Sequence, residues 1–226
     1  MPRIARLAIV LPALVLLAAL ALATERLGQA SGIVYEAARE MATWSASGTE
    51  PGERTVAWVR GDLARAAALA PADPTIEEML GQLADRHPER AEHVADALAH
   101  FTRAIAARPT SPYTWASVVE MKYRTGDTGK SFEAALRHAA ELGPSEAEVQ
   151  LTVADFGLAV WDEVAPETRG AVETMVTSAM KRDPAATLQV AERRGRLALA
   201  CRHLVDAPRR ADNRWLQLCG SRETFS

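Results

Sequence analysis

The chain opens on a hydrophobic pattern that occurs nowhere else along it. Residues Leu7 to Ala23 form seventeen consecutive apolar residues, preceded by Arg3 and Arg6 and closed by Glu25 and Arg26. A helix needs ~17–25 such residues to cross a hydrocarbon core, so residues 1–23 read as a transmembrane anchor or a signal segment. The basic start and the Ala21-Leu22-Ala23 end suit a cleavable signal peptide. The near-full spanning length suits an anchor, and Pro12 is tolerated in spanning helices. In both cases Arg3 and Arg6 stay cytoplasmic under the positive-inside rule, and the remainder is exported.

Past this run the apolar positions take a helical period. Leu27, Ala30, Ile33, Val34, Ala37, Ala38 and Met41 recur at the spacing of an amphipathic stalk. Ser45 to Gly52, SASGTEPG, is turn-rich and reads as a linker. Residues 24–52 are therefore expected to be stalk and linker, and 53–226 the main domain. No Asn-Gly or Asp-Gly hairpin turn separates alternating apolar runs, so strands are not expected. Helix starts are well marked. Asp73-Pro74, Ser111-Pro112 and Asp183-Pro184 each set a capping residue before a proline suited to the first helical position. Ser145-Glu146-Ala147-Glu148 has the capping-box pattern. Gly126-Asp127 predicts a turn between two helical stretches.

The helix ends recur as well. Pro71, Pro109, Pro144 and Pro184 each close a helical segment, at intervals of 38, 35 and 40. A helix–turn–helix unit with a period near 34 is the tetratricopeptide pattern. Ala97, Phe101, Ala104 and Ile105, followed by Pro109, match the second helix of such a unit and share one helical face. Leu80-Gly81 suits the close contact of a first helix. Trp115 to Pro144 forms the next unit. Val153-Ala154 with Val172, Val176, Ala179 and Pro184 forms another, and Val56 to Pro71 resembles a lone second helix. The expected fold is all-α: an N-terminal transmembrane or signal helix, then degenerate tetratricopeptide-like hairpins stacked as an α-solenoid. An unrelated helical bundle is the alternative.

Composition narrows the function classes. Aromatic residues are only 5% of the chain, so the few tryptophans must carry much of the burial in an alanine-rich core. Trp115 and Trp161 are accordingly read as packing residues rather than sugar-stacking platforms. The net charge of −3 leaves no basic excess to attract nucleic acid. Arg193, Arg194, Arg196, Arg202, Arg209 and Arg210 gather late in the chain. They read as a solvated helix face, or else as a contact for anionic lipid or polymer.

The stretch FEAALRHAAELGPSEAEVQLTVADFGLAVWDEV, Phe132 to Val164, resembles exopolysaccharide-cluster proteins of the VpsP type. AERRGRLALACRHL, Ala191 to Leu204, resembles them too, and a weaker likeness runs back through Trp58 and the LARAAALAPADP segment. The resemblance implies a small, membrane-anchored, tetratricopeptide-like protein of bacterial exopolysaccharide biosynthesis or export. It supplies a pathway and no catalytic residues. A bulky aromatic often follows the glycine-proline in that family, and Ser145 takes the place here.

Candidate chemistry is sparse. His87, His93, His100, His138 and His203 are scattered; His93 and His100 can share a face, but no third ligand completes a zinc set. Asp155 and Glu163 lie eight apart, ~12 Å along a helix. That exceeds the ~5–9.5 Å of a glycosidase pair. No P-loop, Gly-x-Ser-x-Gly or His-Glu-x-x-His occurs. Neither a catalytic residue nor a cofactor or metal is expected. Cys201 and Cys219 are the only cysteines and suit a disulfide in an exported domain, or else two buried thiols. Aligning Trp115 with the usual tryptophan of the repeat places Tyr113, Glu120, Tyr123 and Arg124 on a concave, protein-binding groove. Glu78, Gln82 and Arg86 flank it on one side, Glu148 and Asp155 on the other. Tyr123→Ala with Arg124→Glu is expected to shift stability by less than ~0.5 kcal/mol if those residues are exposed.

The expected function is a non-enzymatic scaffold in the bacterial inner membrane. Its N-terminus is cytoplasmic, residues 7–23 lie in the membrane, the bulk is periplasmic, and proteins of a polysaccharide synthesis or export complex are its partners. The alternatives are a glycan-binding or enzymatic component of the same pathway, or an accessory factor of cytochrome c assembly.

Overall fold

The computed structural model describes residues 2–48, 50–71, 73–86, 90–204 and 213–220; every regular element among them is a helix. The helices are α1 (Pro2–Ser47), α2 (Glu53–Leu69), α3 (Pro74–Ala84), α4 (Ala91–Ala107), α5 (Pro112–Arg124) and α6 (Lys130–Leu142). They continue with α7 (Ala147–Ala159), α8 (Pro166–Arg182), α9 (Pro184–Arg193), α10 (Leu197–Cys201) and α11 (Asn213–Gly220). His87, Arg209 and Arg210 lie outside the described residues. The chain divides into two compact units, Met1–Leu83 and Ala84–Ser226.

In the first unit, α1 is one continuous helix of 46 residues. It is long and apolar enough to cross a membrane. Leu11, Leu14, Val15, Leu16, Leu17 and Leu20 are each more than half exposed, so none of them is used for packing within the chain. The second half of α1 behaves differently. Ala30, Ala37 and Trp44 are seven apart, which puts them on one stripe, and all are buried. They share a core with Val59, Leu63 and Ala66 of α2 and with Ile76, Met79 and Leu83 of α3. The stalk residues are thus part of a packed core, and the division between units falls at Leu83/Ala84 rather than at the linker ending at Gly52. The helix also persists through Ser47, beyond the start of the turn-rich stretch. Gly48 then takes φ 61°, a left-handed conformation that costs glycine little and stops the helix.

In the second unit, α5 packs on α6 and α7 on α8 across short connections, the arrangement of helical hairpins. Each helix from α5 to α7 also packs on the next but one: α5 on α7, α6 on α8 and α7 on α9. Local chemistry sets the ends. Proline opens α3, α5 and α9, where its missing N–H is no loss. Asp73 Oδ1 accepts from Thr75 N–H at 2.9 Å, Ser111 Oγ from Thr114 N–H at 3.3 Å and Asp183 Oδ1 from Ala186 N–H at 3.0 Å. The capping box at Ser145 does not form. Glu146 is the N-cap of α7 and its side chain makes no capping bond, because Ser145 belongs to the preceding turn closed by Glu146 N–H on Gly143 O.

One register recurs four times. Val59, Ala97, Phe132 and Val172 are each followed four residues on by Leu63, Phe101, Leu136 and Val176, then three on by Ala66, Ala104, Ala139 and Ala179. All twelve are buried. Four residues further, Ala70, Arg108, Gly143 and Asp183 leave helical geometry, with φ of −136°, −138°, −119° and −140° and positive ψ. Each donates its N–H to the alanine carbonyl at 2.8–2.9 Å. A proline follows at positions 71, 109, 144 and 184, which holds the preceding residue away from helical geometry.

Candidate functional site

The candidate surface is the layer made by α5, α7 and α9 in the second unit. Its polar residues are paired with one another. Arg124 Nη1 bonds to Asp85 Oδ1 and lies 3.5 Å from Glu120 Oε1. Glu120 is largely desolvated, and this raises its carboxyl above the ordinary value. Asp85 and, more weakly, Asp155 push the same way, while Arg124 opposes them. On α7, Asp155 Oδ1 accepts from Arg194 Nε at 2.6 Å and Oδ2 from Arg193 Nη2 at 3.0 Å. The Arg194 guanidinium lies 5.3 Å from the Tyr123 ring centre and 5.6 Å from that of Phe156, within cation–π range. The two rings are themselves 5.1 Å apart, and Arg194 Nη1 reaches Tyr123 Oη at 3.4 Å. The bond to Asp155 also raises the Arg194 pKa, so the guanidinium stays charged.

Glu120, Tyr123, Arg124 and Asp155 are therefore brought together, in a ladder of pairs with Asp85, Arg193 and Arg194. Tyr123 and Arg124 are half-buried, and their substitution is not the neutral surface change expected of exposed residues. Tyr113 and Glu148 stay exposed at the other end of the layer, where the Tyr113 hydroxyl donates to Glu146 Oε2. Arg86 is half-buried in the turn after α3. Glu78 and Gln82 belong to the first unit. The ladder residues not anticipated were Asp85, Arg193 and Arg194. The signal for the arginines was present: Arg193-Arg194-Gly195 ends α9, where cations favour the helix dipole and Gly195 takes φ 69°.

A second network joins α6 to α8. Glu133 Oε2 accepts from Ala165 N–H at 2.9 Å and from the buried Thr168 hydroxyl at 2.6 Å. Arg137 Nη1 donates to Thr168 Oγ1 at 2.8 Å. The Thr168 and Ala165 bonds hold the Glu133 carboxyl below its ordinary value. Many of the long-range polar links span one near-constant interval. Tyr113–Glu146 spans 33 residues, Arg196–Asp162 34, Glu133–Thr168 35, Arg182–Ser145 37, Arg193–Asp155 38, and Arg194–Asp155 and Arg124–Asp85 39.

Other candidates are dispersed. His100 Nε2 is 3.7 Å from Asp96 Oδ1, His138 stacks on Trp115 at 4.6 Å, and His203 Nδ1 is 3.1 Å from Thr177 Oγ1. His93 is half-buried on α4, and no group of three or more His, Cys, Asp or Glu that could hold a metal ion occurs among the described residues. Trp115 and Trp161 are half-buried against the core of the second unit. Asp155 is occupied by two arginines, and Glu163 is exposed in the turn after α7. Cys201 and Cys219 are joined, with Cα atoms 5.4 Å apart. The protein is all-helical, with an N-terminal helix fit to span a membrane and a polar layer committed to internal pairs. No protein-family model matches the chain, and neither does any curated protein.

Proposed function

We propose that this chain is a non-enzymatic adaptor anchored in the bacterial inner membrane by α1. Its N-terminus lies in the cytoplasm and its bulk in the periplasm. There a stack of tetratricopeptide-like hairpins holds proteins of an exopolysaccharide synthesis or export complex. The observation that carries this reading is the recurrence of one buried helical register, ending each time in a non-helical residue and a proline. A period of this size built from helical hairpins is what a tetratricopeptide array requires. Polar links spanning 33–39 residues fit contacts between neighbouring repeats. Repeat stacks present extended surfaces to protein partners. The polar residues of the α5/α7/α9 layer are spent on cohesion, which suits a rigid platform better than a reaction centre. The exposed Tyr113 and Glu148 end of that layer is the part open to a partner. The pathway itself rests on the likeness to exopolysaccharide proteins carried by Phe132 to Val164.

The test is complementation of a strain lacking the protein, read as surface polysaccharide. The native chain is expected to restore the polymer. A chain whose residues 1–23 are replaced by a cleaved signal is expected not to restore it. Full restoration by the released form would contradict the anchored reading. Unchanged polymer in the strain lacking the protein would contradict the pathway.

A further inference from the structure

The C-terminal end is built from two pieces of unequal hold. On one side, α10 and the turn that follows it bury Leu197, Leu199, Ala200 and Leu204. His203 fastens this piece to α8 through Thr177 Oγ1 at 3.1 Å, with its Nε2 3.4 Å from Glu173 Oε1. On the other side, α11 is an eight-residue helix packed on α10, and Trp215 and Cys219 are its buried side chains among those described. A helix of that length does not persist alone in water. The Cys201–Cys219 bridge ties the weakly held piece to the firmly held one. Cys201 is half-buried while Cys219 is buried, so the bridge is open to a reductant from the Cys201 side. Accessible bridges are the reducible ones.

We propose that α11 is a redox-releasable cap. A dithiol reductant attacks one sulfur of the bridge, forms a mixed disulfide and displaces the other cysteine as a thiol. Its second thiol then closes the reductant's own disulfide and frees the remaining cysteine. The chain gains two electrons and two protons, and the reductant loses them. The S–S bond is broken, α11 leaves α10, and α10 stays docked through its own buried leucines. Release exposes Trp215 and Cys219, which are buried while α11 is packed on α10. This device does not depend on the pathway assigned above.

Hydrogen exchange on the full chain in detergent, with and without dithiothreitol, tests it. Alkylation and intact mass report the thiol state. Closing a loop with this sequence separation of 18 changes the open population by about 100-fold. Amide protection in α11 is therefore expected to fall by that factor on reduction, while α8, α9 and α10 keep theirs. The Cys201→Ser, Cys219→Ser double variant is expected to match the reduced chain without reductant. Unchanged α11 protection after verified reduction would overturn the proposal. So would loss of protection through α8 to α10 together with α11, or two alkylatable thiols in the unreduced chain.

Discussion

At Gly157 the space for a side chain is already taken. A Cβ built there would stand 2.4 Å from Val172 Cγ2 and 2.8 Å from Cγ1, on the branched side chain that α8 presses against α7. Gly157→Ala is therefore expected to destabilise the protein by about 1–3 kcal/mol, despite the better helix propensity of alanine. Val172→Ala in the same chain is expected to recover part of that loss, and urea melts of the two singles and the double measure it. An unchanged midpoint for Gly157→Ala would contradict the close α7–α8 approach. Glu133 sets a second expectation, through pH. Its carboxyl is held below its ordinary value by bonds that only the folded state makes. Its contribution is thus complete above the unfolded value, near ~4.3, and is lost as pH falls through the lower folded value. Glu133→Gln is expected to cost about 1 kcal/mol at pH 7, with the difference from the native chain closing in acid. A difference that does not change between pH 7 and pH 3 would show that the charge is not what matters.

At the scale of elements, Arg194 acts as the pin of the α5/α7/α9 layer, because it touches Asp155 and Phe156 of α7 and Tyr123 of α5. A double-mutant cycle of Arg194→Ala with Asp155→Ala is expected to give a coupling of about 0.5–3 kcal/mol, read by thermal or urea melts. Zero coupling would remove the pair from the cohesion of the layer. For the same reason Tyr123→Ala with Arg124→Glu is expected to lower stability by more than ~1 kcal/mol, since it breaks a half-buried ion pair and empties a ring contact. The helix ends were legible because their chemistry is local. Asp73, Ser111 and Asp183 sit three residues or fewer from the N–H groups they cap, and each closing proline acts on its immediate neighbour. The long pairs of the ladder were not legible, since Arg124–Asp85 and both arginine–Asp155 pairs span 38–39 residues, Arg194–Tyr123 spans 71, and nothing in a linear pattern joins them. The capping box at Ser145 misled for a related reason. Motif spacing was correct, but the proline before it committed that serine to a turn. The extent of the first core was also hidden. Ala30, Ala37 and Trp44 showed helical period, but period alone does not say that α2 and α3 cover them.

For the whole molecule, α1 joins an exposed apolar stretch from Leu11 to Leu22 to a half packed in a core, within one unbroken helix. An anchor that continues into the folded part is expected to remain attached, so N-terminal sequencing of the mature protein should begin at residue 1 or 2. A C-terminal reporter active only after export should be active. A mature terminus at Thr24 would sink the anchor, and an active cytoplasmic reporter at the C-terminus would reverse the topology. The adaptor role is reached most directly by photo-crosslinking in native membranes, with the crosslinking side chain placed at the exposed position of Glu148. In cells that secrete polymer, this position is expected to trap a defined protein of the polysaccharide synthesis or export machinery. Membranes from secreting cells in which it traps no protein, or only free glycan, would contradict the adaptor.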